Sequence, residues 1–151
     1  MRISFRVDGV PVPKGSTKSF VINGRTATTN ANPKTKDWQY RVSTECQHVC
    51  AIKREQGINT FVPKTNNGMD CVGVSVEFYF LRPKADKKGI RAMTVKPDID
   101  KLLRTILDAL TGIIYEDDSQ VTFIQGTKNY VSDGGSPFVD VTIYTHPDKT
   151  S

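Results

Sequence analysis

Apolar and polar residues alternate through "ISFRVDGVPV", which predicts an edge-accessible β-strand over 3–8. "PVPKG" ends it, and "FVINGRTATT" has the pattern of a hairpin turning at Asn23-Gly24. Pro33 opens a helical stretch over about 34–56 that carries Trp38, Val42, Val49 and Ile52. "VPKTNNGMD" reads as a loop, and the β-branched, aromatic run from Cys71 to Leu81 as the clearest strand. Ile99, Leu102, Leu103, Ile106, Leu107 and Leu110 then repeat at helical spacing, forming one apolar stripe about 100° wide. That spacing predicts a helix over 99–111, ended by Gly112. "QVTFIQGTKNYV" and "FVDVTIYT" read as two further strands, and the turn-rich "SDGGSP" between them predicts that they form a hairpin. The expected fold is α/β of the α+β kind. It is a single domain over 1–151, with a mixed, mostly antiparallel sheet packed against two main helices.

Composition agrees with an ordinary globular domain: 151 residues, 25% charged and 37% hydrophobic, which argues against wholesale disorder. The first residues contain no apolar signal core, and no apolar run reaches the ~20 residues of a membrane span. The expectation is a cytoplasmic protein with no membrane association. The three cysteines, Cys46, Cys50 and Cys71, are an odd number and argue against a disulfide framework. Cys46 and Cys50 flank His48 on the first helix, but His146 is the only other histidine. Free thiols on a partly buried helix are therefore expected rather than a zinc site.

Charge sharpens the picture. The net charge is +5, and "LRPKADKKGIRAMTVKP" (81–97) carries six basic residues against one acid, which accounts for all of it. Those bases are Arg82, Lys84, Lys87, Lys88, Arg91 and Lys96. A concentrated basic segment favours a phosphate polyanion, against the alternative of a merely solvated loop. Lys14 and Lys18, in the N-terminal loops, are weaker candidates for the same contact.

Directly after the basic segment, the acids gather at the two ends of the 99–111 helix. Asp98 and Asp100 sit at its start, Asp108 near its end, and Asp117 and Asp118 in the loop beyond. Each has a structural explanation: Asp98 as an N-cap, Asp100 paired with Arg104, Asp117 and Asp118 as turn residues. Taken together they suggest a cluster, provided that the following strand lies beside the helix start. An oxygen-rich set without histidine suits Mg²⁺ or Mn²⁺. A metal beside a basic groove is what phosphodiester hydrolysis requires, with Arg104 available for phosphate or transition-state charge.

"PDIDKLLRTILDALTGIIYEDDSQV" resembles the signature of the RusA Holliday junction resolvases of phages and prophages. The family pattern runs Asp-x-Asp-Asn-Leu-x-Lys, then Leu-Asp-Ala-Leu, then Asp-Asp-x-Gln-Val. Asp98, Asp100 and Leu102 match the first block, Leu107 to Leu110 the second, and Asp117, Asp118, Gln120 and Val121 the third. "GVPVPKGSTK" is also similar to the Pro-Lys-rich turn of phage members. The resemblance implies a small homodimeric endonuclease that nicks four-way DNA junctions symmetrically with Mg²⁺ or Mn²⁺. It implies that Asp98, Asp100 and Asp118 bind metal and act in catalysis, with Asp117 as a fourth ligand. Two positions depart from the pattern: the family asparagine is Lys101 here, and its catalytic lysine falls at Arg104. Arginine keeps the charge but does not transfer a proton readily. Lys101 is the other candidate for that role. The alternative is a non-catalytic binder of branched DNA. A nucleotide-directed enzyme fits less well, because the chain has neither a Gly-rich phosphate loop nor a Glu-x-x-Glu pair. No protein partner other than a second copy is expected.

Overall fold

The structure, a computed structural model, describes residues 1–15, 17–30 and 33–145, the side chains at 17–20 and 27–30 excepted. Strand β1 (Arg2–Asp8) buries every second residue, as its alternation requires, and lies at one edge of a four-stranded sheet. Strands β2 (Thr17–Ile22) and β3 (Arg25–Asn30) form a separate two-stranded ribbon. It turns at Asn23 and Gly24, whose φ values of 51° and 77° are those a tight hairpin turn demands. Helix α1 (Thr35–Glu55) follows, then β4 (Val72–Phe80), α2 (Ile99–Leu110), β5 (Val121–Tyr130) and β6 (Phe138–Thr145).

The sheet order is β1-β6-β4-β5. β6 runs antiparallel to both β1 and β4, whereas β5 runs parallel to β4. The expected hairpin of the last two strands is therefore not formed, because β4 lies between them. The reason is the crossover: the chain leaves β4, packs α2 on one face and must return in the same direction. The 131–137 link crosses the end of β4, where the Val131 amide donates to the Phe80 carbonyl at 2.8 Å. It then delivers β6 into the gap beside β1, and the Gly9 amide donates to the Pro137 carbonyl at 3.0 Å.

Both helices cover the same sheet face, α1 against β1 and α2 against β5. Trp38, Val42 and Cys46 from α1 meet Leu102, Ile106 and Leu110 from α2 over Val74, Val76, Phe78 and Val141 of the sheet. Leu103 lies on Gly126 of β5, where an added Cβ would sit 3.0 Å from its methyl groups. That contact seats α2 against the outermost strand. The opposite sheet face is polar: Arg6 bonds Asp140 at 2.7 Å and Tyr79 stacks on Phe138 at 4.4 Å. The three cysteines are free and buried, as expected, and the hydrogen bond to Cys50, with burial, pushes the Cys46 thiol up. His48 faces solvent, and among the described residues no group of three or more His, Cys, Asp or Glu is placed to hold a metal ion. His146 lies outside the described residues. Among the described residues no helix is long and apolar enough to cross a membrane.

Candidate active site

The start of α2 is fixed from three directions. Lys128 of β5 donates to the carbonyls of Val95 and Pro97 at 2.7 and 3.0 Å. The Lys14 amide donates to the Lys101 carbonyl at 3.0 Å. The Lys14 ammonium runs along the helix to Asp108 at 3.0 Å. Asp98 stands at the N-cap in an extended conformation, yet its carboxylate makes no capping hydrogen bond. The side chains of Asp98 and Asp100 are 58% and 78% exposed. Arg104 makes no ion pair among the described residues, so the Asp100–Arg104 rung does not form. Instead the Lys101 ammonium lies 3.9 Å from Asp98 and 3.8 Å from Asp100. Two exposed carboxylates with no capping hydrogen bond thus share one half-exposed cation on the first turn of the helix.

The second acid pair is built with more care. Asp117 caps a one-turn 3₁₀ helix, Asp118–Gln120, by accepting from the Ser119 amide at 2.9 Å. That bond holds its carboxyl below the ordinary range, with Lys64 contributing at 3.7 Å. Gln120 is buried and uses both ends of its amide. Its oxygen accepts from the Glu116 and Asp117 amides at 2.9 and 3.0 Å. Its nitrogen donates to the carbonyls of Val62 and Asp70 at 2.9 and 3.0 Å. The turn is thereby pinned to the segment before β4, and Asp118 projects from it exposed, beside Asp108 and Thr111.

The two pairs are not brought together within one chain. Asp98 and Asp100 open α2; Asp117 and Asp118 lie with Asp108 at its far end. At a rise of 1.5 Å per residue, Asp98 and Asp108 are separated by about 15 Å along the axis. β5 starts at the C-terminal end of α2 and its last turns run back beside the helix start, so the strand does not carry Asp118 to Asp98. Either pair offers hard oxygen donors of the kind Mg²⁺ takes as one or two carboxylates plus phosphate oxygens. A three-carboxylate set requires a second source of ligands.

The basic segment is folded rather than loose. Its single acid, Asp86, is buried, and its carboxylate accepts from Arg82 at 2.6 Å and from the Ile90 and Arg91 amides at 3.3 and 3.1 Å. Burial alone would raise its pKa, but these bonds outweigh it and hold the carboxyl below its usual value. Arg82 also lies over the Tyr130 ring at 5.1 Å, so its guanidinium serves the fold. Lys84, Lys87, Lys88, Arg91 and Lys96 are exposed around that knot. Lys14 is engaged with Asp108, and the Lys18 side chain lies outside the described residues.

Three residues that matter here carried no role in the sequence reading: Gln120, Asp86 and Lys128. Gln120 was visible only as a motif match, and its role depends on a four-bond geometry that spacing does not encode. Asp86 was visible as the lone acid among six bases, a signal of internal pairing.

The model of the family described as endodeoxyribonuclease RusA matches residues 8–144, nearly the whole chain. The chain is also similar to the uncharacterized protein YqaN of Bacillus subtilis (strain 168). It is 29% identical over 151 residues, covering 93% of this chain and 94% of that protein. The motif blocks that open and follow α2 lie inside the matched span, and the chain belongs to the RusA family of endodeoxyribonucleases.

Proposed function

We propose that the protein is a Mg²⁺- or Mn²⁺-dependent endonuclease that resolves four-way DNA junctions by paired nicks, acting as a homodimer in the cytoplasm of a bacterium or phage-infected cell. The observation that carries this reading is the state of Asp98 and Asp100. They stand exposed on the first turn of α2, neither caps the helix, and the basic segment leads directly into them. Carboxylates kept close together without a folding role are suited to a cation. When bound, the metal supplies an activated water and neutralises charge on the scissile phosphate. Lys101 and Arg104 present positive charge to the same phosphate from the first two turns of α2. For Arg104 that role is electrostatic, since its guanidinium keeps its proton.

A second copy resolves the separation of the acid pairs. β5 is one of the two edge strands of the sheet and the one beside α2, with Phe123 and Ile124 exposed at 49% and 42%. A two-fold axis at that edge sets β5 and its neighbour α2 antiparallel to their copies. The Asp117 and Asp118 end of one protomer then faces the Asp98 and Asp100 end of the other. Each site draws carboxylates from both chains, and there are two sites for the two nicks that resolution needs.

The exposed basic segment, with Lys101 and Arg104 in place of the family's asparagine and lysine, favours a second reading, a branched-DNA binder without nuclease activity. The test uses a synthetic mobile four-way junction and a matched duplex, each with Mg²⁺, Mn²⁺ or EDTA, with Asp118→Asn in parallel. Paired nicks in the junction alone, abolished by EDTA and by the substitution, are expected. Tight junction binding with no nick under any condition selects the binder instead.

A further inference from the structure

Beside Asp98 the structure has a groove of about 780 Å³, which none of the residues discussed so far requires. Its lining is mainly apolar. Val10 to Pro13, Leu81, Met93, Val95 and Tyr130 line it. The charged residues of the lining are Lys14, Lys34, Lys96, Lys101 and Asp98. The volume is in the range of small-ligand sites, and the lining suits a flat, uncharged ring rather than a sugar-phosphate chain. The lysines suit the phosphate attached to that ring.

Resting on the nuclease reading above, we propose that this groove is a subsite for a nucleobase unstacked from the branch point of the DNA. A phosphate held at Lys101, through a cation on Asp98 and Asp100, has its own nucleotide within reach of the mouth. In a continuous duplex that base is stacked on both sides, and drawing it out costs a few kcal/mol per base. At a branch point the stack is already interrupted, so the cost is least there. Apolar and aromatic walls return part of it through stacking and burial. The groove thus couples strand position to branching: the phosphate that reaches the carboxylates is the one whose base can leave its stack.

The test places 2-aminopurine either at the branch point or several base pairs into one arm of a junction. The protein and its variants carry Asp118→Asn and are bound with Mg²⁺, so that the cation stays and no strand is cut, and fluorescence is read with and without acrylamide. The branch-point probe is expected to brighten several-fold on binding and to resist acrylamide, while the arm probe stays dim. Val10→Tyr and Val95→Tyr, at positions exposed on the groove wall, should remove the acrylamide resistance while leaving the melting temperature unchanged. A branch-point probe that stays dim in the bound complex overturns the proposal. So does a bright probe quenched equally with and without the groove substitutions, since its base then lies in solvent. Absence of nicking when the wild type meets the same junction with Mg²⁺ overturns instead the nuclease reading on which the subsite rests.

Discussion

The Lys14 ammonium lies 3.0 Å from the Asp108 carboxylate, linking the loop after β1 to the last turn of α2. A carboxylate near a helix C-terminus faces the negative end of the peptide dipoles, and α2 has no basic residue of its own in its last turn. Lys14 supplies that charge from another part of the chain. The Asp of the Leu-Asp-Ala-Leu block therefore has a structural partner in the Pro-Lys turn, which accounts for two separated parts of the motif with one contact.

Lys14→Ala and Asp108→Asn should each lower stability by about 1 kcal/mol, the pair being part-exposed. The double variant should lose little more than either single one. Urea unfolding of all four proteins measures the coupling, and strictly additive losses would show that the contact is not energetically coupled.

Gln120→Leu removes four hydrogen bonds at once, those of the Glu116 and Asp117 amides in the turn and of the Val62 and Asp70 carbonyls before β4. A loss of about 2–4 kcal/mol is expected, with nicking lost under conditions where the variant remains folded. Gln120→Glu keeps the shape but sets a buried carboxylate against the Val62 and Asp70 carbonyls, and at neutral pH it should lose at least as much. Thermal melts beside junction-nicking rates check both.

Asp98→Asn tests whether the acid at the start of α2 is functional. Because the Asp98 side chain makes no capping bond, neutralising it should shift stability by less than about 0.5 kcal/mol. Junction nicking should fall at least a hundredfold, and Mn²⁺ binding read by calorimetry should weaken with it. A stability loss that matches the loss of activity would instead mark Asp98 as structural.

The pH dependence of the basic segment follows from Asp86. Its folded-state pKa is depressed, so its contribution is present above the unfolded carboxylate value of about 3.9 and is lost as pH falls through the folded value. Wild type and Asp86→Asn should therefore differ most near neutral pH and converge once pH has fallen below the depressed folded-state value. Proteolysis within 81–97, followed against pH, reads this directly: the segment should be cut faster in Asp86→Asn at pH 7 and equally fast in both at low pH.

The elements were legible because their periodicities are strong. The α2 stripe and the β4 run, for example, lie within a residue or so of where hydrophobic spacing predicts them. The pairing of the last two strands was not legible. A turn-rich link of six residues looks the same whether it closes a hairpin or crosses the end of β4, and only the burial demanded by α2 decides. The acids were legible as residues and as a motif. Their separation along α2 was not, because it follows from the direction of β5, which spacing along the chain does not fix. The knot around Asp86 depends on backbone amides that sequence pattern does not describe.

The most direct measurement mixes two inactive proteins. Asp98→Asn and Asp118→Asn each spoil both sites of a homodimer in which sites are shared between chains. A mixed dimer has one site with both defects and one with neither. After refolding the two together, junction nicking should return to about a quarter of the wild-type level, as single nicks rather than paired ones. If the mixture stays as inactive as its components while a wild-type control refolded in the same way recovers, the carboxylates do not combine across a two-fold axis and the shared-site account is wrong.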